Sequence, residues 1–299
     1  MKHLLEISQL SSKELTALFE RALYFKNNAD YPSYKKSIVA NLFYENSTRT
    51  RVSFELAANN LSMPVVNLDL HSSSESKGET IKDTVKNLAA MGVKIFVIRH
   101  MQDGLPQKIA DFCQDSIHII NAGDGIHAHP SQALLDFMTI MEKKSDISKL
   151  KIAIVGNICH SRVANSWQVL AAKLAVKELV LIAPDLWKPK TIHHGHFTTS
   201  LRDGIKDADI VVCLRVQQER LNRSEEIDLV NYHRDYAITA ESLGFAKKDA
   251  YVMHPGPINR GIEIDNDIAD GPQSLILQQV SNGVFMRMAI LESLVSGPN

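Results

Sequence analysis

The chain has 299 residues, 44% of them hydrophobic, and its 33 Lys and Arg nearly cancel 34 Asp and Glu to leave a formal net charge of −1. That is enough material for one large domain or two medium ones, and it excludes a global field that would draw the chain to nucleic acid or an anionic membrane. No apolar run approaches the roughly 20 residues that cross a bilayer, and Met1-Lys2-His3-Leu4-Leu5-Glu6 meets an acid too early for a secretory signal.

The first periodic stretch is amphipathic, at about Ser11 to Asn27, and reads as a helix. Short apolar runs then follow at Ile38–Phe43, Pro64–Leu68, Lys94–Ile98 and Ser116–Ile120, each the length of a buried strand. A helical stretch from about Pro130 to Glu142 leads into polar Lys143-Lys144-Ser145-Asp146, after which a second series opens at Lys151–Val155, Glu178–Ile182, Asp209–Leu214 and Ala250–Met253. Strands alternating with helical segments predict an α/β chain. Two sets of four predict two similar domains, each a parallel sheet flanked by helices, with a site in the cleft between them. The boundaries expected are 1–142 and 143–283, with an amphipathic closing helix at about 284–299 returning to the first domain. Three widely spaced cysteines, Cys113, Cys159 and Cys213, support neither a disulfide framework nor a zinc knuckle and suit a reducing, cytoplasmic setting. Cys159 and Cys213 follow apolar runs and read as small buried residues. His193-His194-Gly195-His196 has no acid or thiol beside it and reads as a solvated loop, not a metal site.

The chemistry gathers after the strands. Behind Ile38–Phe43 comes Tyr44-Glu45-Asn46-Ser47-Thr48-Arg49-Thr50-Arg51, and then Val52, Phe54, Leu56, Ala57, Ala58 and Leu61 at helical spacing. A strand, a tight turn and a helix start carrying hydroxyls and guanidiniums together suit a bound phosphate, because helix N-termini offer unpaired N–H groups and a positive dipole end. An ordinary Ser47 cap would leave two arginines opposing that dipole. Arg99-His100 ends the third strand. Asn121 to Gln132 follows the fourth, and Gly156 to Arg162, Arg215-Val216-Gln217 and His254-Pro255-Gly256-Pro257 follow strands of the second series. Parallel sheets bind ligands at the carboxyl ends of their strands, so two anionic small molecules are expected, one per domain. The polar loop His71 to Thr80 holds a single lysine, Lys77, next to Gly78, and suits a lid.

Ser47-Thr48-Arg49-Thr50-Arg51 with Phe54-Glu55 behind it, together with His129-Pro130-Ser131-Gln132, resembles the phosphate-binding motifs of the aspartate/ornithine carbamoyltransferase family. Arg215 to Arg220 and His254-Pro255-Gly256-Pro257 are similar to the aspartate-using branch. The ornithine-using branch carries His-Cys-Leu-Pro at the last position, where this chain has Pro255. The resemblance covers about Leu4 to Val295. It implies transfer of a carbamoyl group from carbamoyl phosphate to L-aspartate, with no cofactor and no metal. Ser47, Thr48, Arg49, Thr50 and Arg99 would hold the phosphate, and Thr50, Arg99 and His129 would face the carbamoyl oxygen. Gln132 and the Pro255 carbonyl, with Gly256 beside it, would accept from the carbamoyl NH2, while Arg162, Arg215, Gln217 and Lys77 would take the aspartate carboxylates. It also implies a homotrimer in which Ser73 and Lys77 come from a neighbouring subunit, with regulatory chains or dihydroorotase as further partners left open. One departure is Asn157, where relatives carry aspartate after the glycine. A dinucleotide-binding oxidoreductase is disfavoured, because Gly156-Asn157-Ile158-Cys159-His160 lacks the further glycines of that fingerprint. A dead scaffold would have lost Arg49, Thr50, Arg99, His129 or Gln132, and all five are present.

Overall fold

The computed structural model describes residues 1–68, 79–113, 115–218 and 227–296. It divides into two compact units, Met1–Met138 with the stretch from Val280 onward, and Thr139–Gln279.

The first unit opens with α1 (Ser12–Asn27), where Ser11 is the N-cap of a capping box: Glu14 N–H donates to Ser11 Oγ at 3.2 Å and Ser11 N–H donates to the Glu14 carboxylate at 2.9 Å. Then come β1 (Ile38–Phe43), α2 (Thr48–Asn60), β2 (Val65–Asn67), α3 (Ile81–Ala90), β3 (Val93–His100), α4 (Leu105–Ala110), β4 (His118–Asp124) and α5 (Pro130–Met141). All pairings are parallel, in the order β2-β1-β3-β4. Ala40, Leu42, Phe96, Ile98 and Ile119 project from one sheet face into a buried cluster with Val85 of α3 and Leu105 and Ile109 of α4. The strand interiors are buried without alternation, as expected where helices cover both faces of a parallel sheet.

The second unit contains β5 (Lys151–Val155), α6 (Arg162–Lys173), β6 (Glu178–Ile182), β7 (His196–Thr198), α7 (Leu201–Ile205), β8 (Ile210–Cys213), α8 (Leu229–Tyr236), α9 (Ala240–Leu243), β9 (Tyr251–Met253) and α10 (Asn266–Ala269), followed by α11 (Ile276–Val295), within which the chain passes back to the first unit. Its sheet is parallel in the order β7-β6-β5-β8-β9, with Val155, Val180, Ile182, Val211 and Val252 in a cluster with Ile205, Leu243 and Ala269.

Several expectations need correction. The second sheet has five strands among the described residues, not four. His196 begins the added edge strand, while His193 to Gly195 form a largely exposed bend as expected, its backbone held where the N–H groups of His193 and His194 donate to Gln168 Oε1 at 2.8 and 3.4 Å. Asn121–Asp124 lie within β4 instead of after it, whereas Arg99 and His100 end β3 as expected. On α2 the buried face is Thr50, Ser53, Phe54, Ala57 and Ala58, while Val52 and Leu56 are exposed. The closing helix begins at Ile276, well before 284.

Candidate active site

In each sheet the chain leaves its first strand toward one side and returns on the other, which places a topological switch point between β1 and β3 in the first unit and between β5 and β8 in the second. Ligand crevices form at such points, outside the carboxyl ends of the strands. Among the described residues, the expected site residues of each unit gather there.

In the first unit, Ser47 stands at the N-cap of α2 but its side chain makes no capping hydrogen bond, and the first turn contains no acid. By contrast, α1 and α3 both have capped N-termini with an acid in the first turn. Thr48 and Arg49 are exposed and Thr50 is buried. Beside this turn, Tyr44 N–H donates to the Arg99 carbonyl at 2.9 Å, and the Tyr44 and His100 rings meet edge-on at 5.2 Å. The Arg99 side chain is only 13% exposed, with Nη1 donating to the Ala122 carbonyl at 3.2 Å and Nε 3.3 Å from Glu45 Oε2. The guanidinium is thus anchored to β4 and balanced by a carboxylate that sequence reading gave no role. His129 and Gln132 follow β4 at the start of α5, both buried, and Gln132 Nε2 donates to Asp136 Oδ1 at 2.8 Å.

The turn carrying His129 is organised by a second unassigned acid. Asp124, 1% exposed, accepts from Gly104 N–H at 2.7 Å, Asn121 Nδ2 at 2.8 Å and Ala128 N–H at 3.1 Å. His127 Nδ1 is 2.8 Å from its carboxylate and His127 Nε2 is 3.2 Å from Glu6. Burial opposes the Asp124 charge, but bonds from His127, Asn121 and Gly104 outweigh it and hold the carboxyl below its usual range. The Asp124 hydrogen bond raises His127 above its ordinary value against partial burial, with Glu6 and Asp103 adding to the rise. A histidine raised in the folded state stabilises fully below its unfolded value, about 6.5, and loses that contribution as pH rises through the folded value. The Tm difference between the unmodified chain and His127→Gln is therefore expected to be largest near about pH 6 and to shrink toward pH 8 and above. A difference constant across that range would show that the contact does not depend on charge.

In the second unit, Gly156 follows β5 with φ +131°, and a Cβ there would lie 2.6 Å from the Leu214 carbonyl, so the close approach of the two strand ends requires glycine. Ser161 caps α6, accepting from Ala164 N–H at 3.1 Å, and sets Arg162, 6% exposed, at the first helical position. Arg215 and Gln217 are half-buried after β8, where Gln217 Nε2 donates to the His160 carbonyl at 3.3 Å. Asn157 is buried with Oδ1 2.9 Å from His160 Nδ1. Cys159 is half-buried instead of buried, its Sγ 3.1 Å from His160 Nδ1, whereas Cys213 is buried and its thiol is pushed up by burial.

The 254–257 turn lies against the same edge. Gly256, at φ +69°, donates its N–H to His254 Nδ1 at 2.7 Å, which leaves Nε2 as the protonated nitrogen facing Glu263 Oε1 at 3.1 Å. Glu263, 1% exposed, also accepts from Asn259 N–H at 2.6 Å and Val216 N–H at 3.5 Å, and Asn259 Nδ2 donates to the Val216 carbonyl at 3.0 Å. One buried carboxylate thus joins the Arg215–Gln217 segment to the Pro255–Gly256 turn. Ser73 and Lys77 lie outside the described residues.

Residues 2–142 match the carbamoyl-phosphate-binding domain model of aspartate/ornithine carbamoyltransferases, and residues 148–294 match the aspartate/ornithine-binding domain model. The chain belongs to the aspartate/ornithine carbamoyltransferase family. Within that family it is 62% identical, over 99% of both chains, to the aspartate carbamoyltransferase catalytic subunit of Legionella pneumophila strain Corby. Among solved carbamoyltransferases it resembles Trypanosoma cruzi aspartate transcarbamoylase in complex with carbamoyl phosphate and aspartate, at TM-score 0.87 and 28% identity over 98% of this chain and 96% of that one. It also resembles Pyrococcus furiosus ornithine carbamoyltransferase, at TM-score 0.88 and 25% identity over 100% and 98%. The fold is therefore shared by both branches, and the stronger sequence likeness is to the aspartate branch. No helix among the described residues is long and apolar enough to cross a membrane.

Proposed function

We propose that this chain transfers the carbamoyl group of carbamoyl phosphate to the amine of L-aspartate, giving N-carbamoyl-L-aspartate and phosphate for de novo pyrimidine synthesis. The observation that carries the reading is the convergence of Ser47–Thr50, Arg99, His129 and Gln132 on the carboxyl ends of three adjacent strands, β1, β3 and β4.

The dianionic phosphate sits at the start of α2, taking first-turn N–H groups, the hydroxyls of Ser47, Thr48 and Thr50, and the guanidiniums of Arg49 and Arg99. Attack by the amine puts negative charge on the carbamoyl oxygen, which Thr50, Arg99 and His129 stabilise as donors held in place before the reaction begins. Gln132 and the Pro255 carbonyl, with Gly256 beside it, accept from the carbamoyl NH2. Arg162, Arg215 and Gln217, with Lys77, take the two aspartate carboxylates. A C–N bond forms as the C–O bond to phosphate breaks, and the departing phosphate takes the proton released by the amine. Alignment and charge stabilisation then supply most of the acceleration.

The test is phosphate release from carbamoyl phosphate with L-aspartate, L-ornithine or no acceptor. Release that requires aspartate and disappears in Arg49→Ala is the expected result. Release with ornithine alone would overturn the roles given to Arg215, Gln217 and Pro255.

The reading includes a cytoplasmic homotrimer, with Ser73 and Lys77 completing a neighbour's site. Mixed trimers of Lys77→Ala and Arg49→Ala chains should then regain partial activity through sites that carry neither change. No recovery after verified subunit exchange would exclude shared sites.

A further inference from the structure

The two ends of a glutamine amide have the same shape and opposite hydrogen-bonding character. As an acceptor for the carbamoyl NH2, Gln132 must present Oε1 and turn Nε2 away. Asp136, four residues later on α5 and 0% exposed, meets Gln132 Nε2 at 2.8 Å. An ionised carboxylate accepts and never donates, so it admits only that orientation of the amide.

The aspartate has a buried countercharge. Arg287 of α11 is 3% exposed, its guanidinium lies over the Phe54 ring at 5.0 Å, and Asp136 is the charge that acts on it. Burial lowers its pKa to about 10 while Asp136 works in the opposite direction, so the group is cationic at neutral pH. Gly283, one turn earlier on α11, leaves room for it: a Cβ there would lie 2.5 Å from Arg287 Nη1. Asp136 therefore stands directly behind the Gln132 amide, with Arg287 a second buried group on which its charge acts.

We propose that Asp136 is a positioning residue that fixes the Gln132 amide oxygen toward the carbamoyl nitrogen, so that the site selects a carbamoyl group over an acyl group of the same shape. The proposal rests on the reading of Gln132 given under Proposed function. Acetyl phosphate supplies the comparison, since a methyl group stands where carbamoyl phosphate has NH2. Against NH2 the fixed oxygen gains a hydrogen bond, and against CH3 it is desolvated with nothing to accept from. An amide free to turn would set NH2 against NH2 part of the time and lose much of that discrimination.

The experiment uses Asp136→Val/Arg287→Met, which removes both charges together and leaves neither buried alone. Aspartate-dependent turnover is measured with carbamoyl phosphate and with acetyl phosphate, alongside inhibition by inorganic phosphate. The preference for carbamoyl over acetyl phosphate is expected to fall by about 10-fold or more, mainly through a higher KM for carbamoyl phosphate. The inhibition constant of inorganic phosphate and the KM for aspartate should stay within about twofold, because neither ligand touches Gln132. Asp136→Asn/Arg287→Met, nearly isosteric at residue 136, offers an amide that can present either end, and should give an intermediate loss of about threefold. That second variant also carries the test if the first fails to fold. An unchanged preference in a folded variant would overturn the proposal, as would parallel weakening toward all three phosphate ligands. A Gln132→Ala chain with wild-type preference would instead remove the role of Gln132, and absence of any aspartate-dependent release from the unmodified chain would remove the assigned reaction.

Discussion

Arg99→Ala is expected to lower kcat/KM for carbamoyl transfer by about 10⁴-fold, because in the proposed mechanism one guanidinium serves both the leaving phosphate and the developing oxyanion. Removing a single oxyanion donor typically costs about 10²- to 10³-fold, and here a phosphate contact is lost with it. The surroundings add to the effect. Glu45 Oε2 lies 3.3 Å from Arg99 Nε, so truncation leaves a carboxylate facing the place where a dianion has to bind. Arg99→Lys restores the charge as a single point but not the planar fork, and should recover about 10- to 100-fold of the loss. Inhibition by inorganic phosphate should weaken in both variants, while the aspartate half-site on the other sheet is untouched. If Arg99→Ala kept phosphate inhibition and lost only kcat, the group would be an oxyanion donor alone.

Much of the fold was legible because parallel strands buried on both faces must be almost wholly apolar. Ile38–Phe43, Lys151–Val155 and Glu178–Ile182 have the same ends in sequence and structure for that reason. The edge strand His196–Thr198 escaped notice because it has three residues with one apolar side chain between two polar ones. The start of α11 is hidden by Gln279 and Asn282, polar residues that interrupt its apolar pattern before 284. Both are buried and satisfied, Gln279 by His254 N–H at 2.9 Å and Asn282 by Lys26 Nζ at 2.8 Å. Val52 and Leu56 fitted the helical period of α2 yet face outward, since the period fixes a stripe but not which stripe the sheet covers.

The donors of the proposed site stand out in the sequence for a related reason. Arginine, histidine and hydroxyl groups stand immediately after apolar runs, and parallel topology brings such strand ends to one edge. The carboxylates that orient them do not stand out. Asp124, Asp136 and Glu263 look in sequence like any solvated acid, and their roles arise from burial, which depends on tertiary structure. Only Asp136 left a trace, its i+4 spacing from Gln132 on a helix. The pattern is physical: a site that binds two anions must display donors, and Arg99, Gln132 and the turns around His129 and Gly256 are held by acceptors.

Glu263 shows this most directly, and Glu263→Ala is the substitution expected to damage the second unit most. Its carboxylate accepts from His254 Nε2, Asn259 N–H and Val216 N–H inside the fold. Truncation leaves three buried donors without their acceptor, at a cost of about 1–3 kcal/mol for each one that finds no water. A loss of about 3–5 kcal/mol of stability should follow, read as a lower denaturation midpoint. Where the chain still folds, Val216 and the 254–257 turn lose their common anchor. Arg215 and Gln217 flank Val216, so the KM for aspartate should rise by about 10²-fold while inhibition by inorganic phosphate stays near wild type. Glu263→Gln sharpens the test, because an amide keeps one acceptor oxygen but turns NH2 toward another donor. It should retain the fold and lie between the other two in aspartate KM. If Glu263→Gln were indistinguishable from wild type in both stability and aspartate KM, the carboxylate would be a packing element and the alignment of Arg215 would be set elsewhere.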